Sequence, residues 1–212
     1  MDVRMFTVGQ VAENSYIFRR DSSDRALIVD PGDEASKLLG ALEEPGVTLD
    51  GILLTHTHFD HVGAVAPVAK ATGAEVWVPK IERPVLADIM SFVPWPGFGP
   101  FESYDAEHDL EGGETLQLAG FDIEVLFTPG HSPGHVTFSI PDEGVVFSGD
   151  VLFQGSVGRV DLPGGDGPTL MRSIRSLVES LPEETTVYPG HMGVTTLGAE
   201  RATNPFLAEL AR

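Results

Sequence analysis

Gly51-Ile52-Leu53-Leu54-Thr55-His56-Thr57-His58-Phe59-Asp60-His61 is the stretch on which the fold turns: an apolar run followed at once by three imidazoles and a carboxylate. Residues two apart on an extended segment point the same way, so His56 and His58 can share one ion, while Asp60 and His61, past the bend, can face a second. Three of the seven histidines fall within these six positions, at the end of a strand-like run, where active-site loops of α/β folds emerge. A lone histidine is more often a satisfied core or surface residue. A crowd of His and carboxylate instead matches the ligand preferences of zinc and related ions, and a binuclear metal site is the first expectation.

The whole chain narrows the class. Its 212 residues, 42% hydrophobic and 21% charged, are enough for one good core, and a single domain over 1–212 is expected. Thirteen basic and 32 acidic residues give a formal charge of −19, with no basic run; nucleic acid and anionic membrane surfaces are poor partners for it. With no cysteine there is no disulfide, no thiolate ligand and no thiol nucleophile. The opening Met1-Asp2-Val3-Arg4-Met5-Phe6 lacks the pattern of a signal peptide, and no window approaches the ~18 apolar residues of a membrane span. A soluble cytoplasmic protein is expected.

Patterning predicts strands at about 2–8, 14–20, 25–29 and 49–54, with helices over about 33–44, 62–71 and 81–90 and a strand over about 75–78. Further strands are predicted near 104–109, 114–118, 121–127, 135–140 and 144–148, then a helix over about 168–180, a strand at about 185–188 and a closing helix after Thr196. The two β-then-α halves imply an α/β fold of four layers, αββα, two mixed sheets face to face with helices on the outer faces. His131, Asp150 and His191 each follow one of the predicted strands, so one rim can gather them all.

H-x-H-x-D-H, followed by His131 in Thr128-Pro129-Gly130-His131, Asp150 in Ser148-Gly149-Asp150 and His191 in Tyr188-Pro189-Gly190-His191, is similar to the metallo-β-lactamase superfamily. The resemblance spans nearly the whole chain. It implies His56, His58 and His131 on one metal, Asp60, His61 and His191 on the other, and Asp150 bridging both; a bare Gly-Asp after a strand would be only a turn. It also implies two divalent ions, zinc first and iron or manganese as alternatives. The true β-lactamases of the superfamily lack that bridging Asp and are normally exported, so β-lactam hydrolysis is not expected. Asp30, in Val29-Asp30-Pro31-Gly32, would sit beneath the metal loop as a hydrogen-bond acceptor or merely end a strand.

Gly158-Arg159-Val160-Asp161-Leu162-Pro163 resembles the G-R-x-D segment of glyoxalase II enzymes and persulfide dioxygenases, and Asn204-Pro205-Phe206-Leu207 looks like the chain end of short bacterial glyoxalase II homologues. The implied activity is hydrolysis of S-lactoylglutathione or a related acyl-thiol by a metal-bridging hydroxide, with Asp60 and Asp150 in catalytic positions. No counterpart of the helical C-terminal extension that holds glutathione in full-length glyoxalase II enzymes is expected, which leaves another thiol, a small ester or a lactone open. A mononuclear iron persulfide dioxygenase, with His56, His131 and Asp150 as ligands, is the rival. Arg159 would either fork onto a substrate carboxylate or tie its loop to Asp161. His135 is expected to be a structural hydrogen-bonder and His108 a surface residue. The aromatic run Phe92, Trp95, Phe98 and Phe101, broken by prolines and glycines, would be a flap over the pocket or a packed loop.

Overall fold

Along β3 (Arg25–Val29) the side chains alternate: Leu27 and Val29 enter one buried cluster, Ala26 and Ile28 another. Both faces of that sheet are therefore covered, which is why its strands read as nearly continuous apolar runs. The computed structural model describes residues 1–43 and 46–208. β1 (Asp2–Val8), β2 (Glu13–Arg19), β3, β4 (Thr48–Leu53), β5 (Glu75–Pro79) and β6 (His108–Leu110) form one sheet in that order, antiparallel as far as β3 and parallel from there. The second sheet runs β14 (Thr195–Thr196), β13 (Thr186–Pro189), β10 (Val145–Gly149), β9 (Val136–Ile140), β8 (Phe121–Phe127) and β7 (Thr115–Leu118). There β10 and β13 are parallel and the other neighbours antiparallel.

The sheets meet face to face. Tyr16, Phe18, Leu27 and Leu53 of the first pack on Phe121, Ile123, Phe138 and Phe147 of the second, with ring centroids of Phe18 and Phe147 4.7 Å apart. Truncating one such buried ring to alanine costs about 3–5 kcal/mol. Outside the first sheet, Leu38 of α1 (Ala35–Leu42) and Val65 and Val68 of α3 (Val65–Thr72) cover Ile28, Ile52 and Val76. Outside the second, Leu170, Ile174 and Leu177 of α5 (Gly167–Ser180) cover Val146 and Val187. This is the four-layer αββα arrangement expected from the sequence, closed by α6 (Leu197–Thr203).

Several elements differ from expectation. The helix predicted over 62–71 is two, α2 (Phe59–Val62) and α3, separated at Gly63 and Ala64, where the Ala64 N–H donates to Pro31 O at 3.0 Å. In place of a helix over 81–90 there is one turn, α4 (Arg83–Leu86), then a 3-10 turn at Ile89–Ser91. The strand predicted at 104–109 begins only at His108, because the Tyr104 N–H donates to Leu86 O at 3.0 Å instead of joining the sheet. A short hairpin of β11 (Leu152–Phe153) and β12 (Ser156–Val157) directly after Asp150 has too few residues to show a periodicity. Among the described residues no helix is long and apolar enough to cross a membrane.

Candidate metal centre

The metal-type residues lie on one rim, just past the ends of β4, β8, β10 and β13. The chain leaves β4 under the control of Asp30. That residue holds a left-handed backbone, φ +47°, and its carboxylate accepts the Thr55 N–H at 2.7 Å and the Thr55 hydroxyl at 2.6 Å. The third bond to Asp30 comes from His61 Nδ1 at 3.0 Å. Of the two readings of Asp30, the structure shows the acceptor beneath the loop.

These bonds fix proton positions around the site. Thr55 Oγ1 gives its proton to Asp30, so it accepts from His56 Nδ1 at 3.1 Å. His131 Nδ1 donates to Arg159 O at 2.8 Å, and His191 Nδ1 to Ala12 O at 3.2 Å. With Nδ1 committed as donor, each neutral ring presents a bare Nε2 lone pair on its other side.

Those lone pairs converge. His56 Nε2, His58 Nδ1 and His131 Nε2 lie 3.2, 2.8 and 3.2 Å from one another; three ligands on a tetrahedral ion at ~2.05 Å would be about 3.3 Å apart. Beside them His191 Nε2 is 3.3 Å from Asp60 Oδ2, and His61 Nε2 is 3.8 Å from the same oxygen. Asp150 stands between the groups, Oδ1 3.3 Å from His61 Nε2 and Oδ2 3.4 Å from His131 Nε2 and 3.5 Å from His191 Nε2. His61 Nε2 and Asp150 Oδ1 are buried with no hydrogen-bond partner. Facing lone pairs and orphaned polar atoms are costly when buried, and divalent cations among them would relieve both. The donor set fits two such ions. Asp30 also lies within reach of His56 and His61, but it approaches the donor side of His61, away from the convergence.

The electrostatics agree in sense. Burial, reinforced by the neighbouring imidazoles, pushes His56 well below its ordinary value and His58 down to about 4, so both stay neutral. Burial would raise the Asp150 carboxyl, but His61, His131 and His191 hold it well below the usual carboxylate range. Burial likewise opposes charge on His61, yet Asp150 and Asp60 outweigh it and lift that imidazole well above its ordinary value.

The other residues singled out in the sequence fall as follows. His135 is fully buried, bonded through Nδ1 to Thr128 Oγ1 at 3.0 Å, and its Nε2 accepts the Asp150 N–H at 3.1 Å; it is a structural hydrogen-bonder that fixes the Asp150 backbone. His108 stacks on Trp77 and pairs with Glu75. Arg159 forks onto Asp161 with two bonds of 2.7 Å, holding the Asp161 carboxyl at about 2. Its guanidinium also lies 5.5 Å from the Trp95 ring. The tie to Asp161, not a free guanidinium, is what the structure shows.

The aromatic run packs on Phe59, with ring centroids of Phe98 and Phe101 at 4.8 and 5.9 Å. Phe98 and Phe101 help to line a cavity of about 250 Å³ whose lining also includes Phe59, Asp60, Gln10, Val11 and Asp33. No lysine or arginine lines it. Sequence reasoning missed Glu13, a fully buried carboxyl 3.8 Å from His61 Nδ1 that burial keeps protonated well above its ordinary range, and it missed Thr55 and Glu82. Glu13 and Glu82 meet the site across a long stretch of chain, and Thr55, although next to His56, shows its role only through the distant Asp30.

Comparison with known proteins places this geometry. The model of the metallo-beta-lactamase superfamily matches residues 8–191. The hydroxyacylglutathione hydrolase GloC of Haemophilus influenzae is 37% identical over 220 residues, covering 98% of both chains. Among solved structures, the BLEG-1 B3 metallo-beta-lactamase is 40% identical with a TM-score of 0.92, covering 98% of this chain and all of that one. TTHA1623, in a di-iron-bound form, is 43% identical with a TM-score of 0.85, covering 96% of this chain and all of that one. With the rim of His and Asp and the αββα layers already in place, these matches make the chain a metallo-hydrolase belonging to the metallo-β-lactamase superfamily.

Proposed function

We propose that this hydrolase cleaves thioesters, releasing a small acid and a thiol, at a site of two divalent ions held by His56, His58 and His131, by Asp60, His61 and His191, and by Asp150 between them. The observation that carries the reading is the Asp150 carboxylate, whose two oxygens reach imidazoles of both groups. When bound, two such ions supply a water of pKa near ~7 as nucleophile and an electrophilic anchor for the carbonyl oxygen. The remaining work belongs to the chain. Burial opposes ionisation of Asp60, but His61 and His191 outweigh it and lower its pKa, so it stays a carboxylate in the lining of the cavity, where it can accept a hydrogen bond from the attacking water. Phe59, Phe98 and Phe101 exclude bulk water from one flank of the cavity.

The cavity also speaks to the substrate. Its walls carry Asp33 and Asp60 and no cation, so a carrier with two carboxylates, such as glutathione, finds no charge partner there. S-lactoylglutathione should be hydrolysed with a high KM, and an uncharged S-acyl thiol of similar size with a lower one. The test is metal analysis followed by steady-state kinetics on these two thioesters, a lactone and a chromogenic cephalosporin, the last because of the β-lactamase likeness. About two equivalents of zinc-like metal and thioester turnover support the reading. No thioesterase activity in loaded protein would refute it. A single equivalent of iron, with oxygen consumed on glutathione persulfide, would make the chain a dioxygenase.

A further inference from the structure

Glu82 lies just past β5, at the N-terminal boundary of α4, with a residue exposure of 5%. Its main chain serves the helix: its carbonyl accepts the Val85 N–H at 2.9 Å. Its side chain turns the other way, into the site. Oε2 accepts the Thr57 N–H at 2.7 Å and the Thr57 hydroxyl at 3.0 Å. Oε1 accepts the Gly134 N–H at 2.9 Å and the Ser132 hydroxyl. Four donors replace the water that a buried carboxylate gives up.

The division between the oxygens matters. Thr57 stands between His56 and His58, and Ser132 follows His131, so one oxygen grips each of the two loops that bring the three converging imidazoles. Gly134 allows the grip, since a Cβ there would come within 2.6 Å of Glu82 Cγ. Neither His61 nor His191 touches this carboxylate.

We propose that Glu82 is a positioning residue for one half of the site: it sets the spacing at which the lone pairs of His56, His58 and His131 accept a single ion. The proposal rests on the metal reading above. It predicts selectivity, because loss of the clasp should loosen the His56, His58 and His131 group while the Asp60, His61 and His191 group, tied to Asp30 and to Ala12 O, keeps its frame.

Glu82→Gln preserves shape but turns an amide N–H₂ towards one pair of donors, which opens one side of the clasp. The experiment is a zinc titration of the chelator-stripped full chain, followed by the imidazole ¹⁵N resonances of each histidine, against the parent. The zinc concentration at which His56, His58 and His131 respond should rise by about 10–100-fold, the usual cost of losing an outer partner of a ligand, while His61 and His191 move by less than about threefold. Equal weakening at both groups would make Glu82 a general packing residue. An unchanged titration with only a lower melting temperature would make it a purely structural clasp. If Glu82→Gln does not fold, Ser132→Ala removes one donor from Oε1 alone and should shift the same three resonances by about threefold; a folded Ser132→Ala with parental zinc affinity overturns the assignment. A parent that takes up no zinc removes the metal reading and this role with it, whereas a parent that loads normally beside an unaffected Glu82→Gln removes the role of Glu82 alone.

Discussion

Replacing Asp30 by asparagine separates the shape of this carboxylate from its chemistry. Asparagine tolerates the left-handed backbone that Asp30 adopts, and its carbonyl can still accept the Thr55 N–H, so the turn survives. What changes is the atom in the place of Oδ2, which now accepts from the Thr55 hydroxyl at 2.6 Å and from His61 Nδ1 at 3.0 Å. An amide N–H₂ there favours the ring form of His61 that accepts at Nδ1 and carries its proton on Nε2, aimed at Asp150. Metal binding must then reverse the tautomer or leave that bond unmade. A hydrogen bond to a charged group contributes about 1.5–3 kcal/mol, so zinc affinity should fall by one to two orders of magnitude at about 1.4 kcal/mol per tenfold. Thr55 also loses its acceptor and with it the hold on His56, so both imidazole groups weaken together, unlike the one-sided loss expected for Glu82→Gln. Competition against a chromophoric chelator measures the constants and a melting curve of the stripped protein checks the fold. Zinc affinity within about twofold of the parent would refute the tautomer argument.

Three further outcomes follow from the same geometry. Gly190→Ala places a Cβ 2.7 Å from His61 Cε1 and against Asp150; it should abolish binding of at least one ion in a protein that still folds, and full occupancy by elemental analysis would contradict the packing. Arg159→Ala frees Asp161 and slackens the segment whose carbonyl orients His131, so kcat should fall several-fold, about 1 kcal/mol, with KM little changed; a rise in KM alone would mean that the guanidinium meets the substrate. In chelator-stripped protein, His56, His58 and His135 have depressed folded values, so their contribution is complete above about 6.5 and is lost as the pH falls towards 4. Glu13, raised by burial, acts in the opposite sense with one proton. The raised His61 and His191 also work against the trend, so a net uptake of about one proton on unfolding gives a slope of about 1.4 kcal/mol per pH unit, and a melting temperature that stays level between pH 6.5 and 5 would refute it.

The layers and the ligand-type residues were legible for a physical reason: each of those residues sits within a few positions of the end of a strand that announces itself either as an apolar run or as a strict alternation. The three histidines in six positions needed no tertiary information. What supports them did need it. Glu82 follows Lys80 and Ile81 in a stretch that reads as an exposed helix start, and its partners lie 25, 50 and 52 residues away. Ala12 and Arg159 act on His191 and His131 through their carbonyl oxygens, and a backbone acceptor is the same for any side chain. The break between α2 and α3 and the late start of β6 go with backbone bonds from Ala64 to Pro31 O and from Tyr104 to Leu86 O, neither of which a local period contains.

That use of carbonyls divides the rim into a fixed part and a variable one. At residue 159 the main chain orients His131 while the side chain faces outward to Trp95, and at residues 11 and 12 one carbonyl orients His191 while the neighbouring Val11 lines the cavity. Side chains along both loops can therefore be exchanged without touching the ligands, and the pocket can be recut for a different substrate on an unchanged centre. Inserting or deleting a residue in either loop moves the carbonyl itself. A family built this way should diversify its substrates by substitution, with loop lengths conserved where a histidine leans on them.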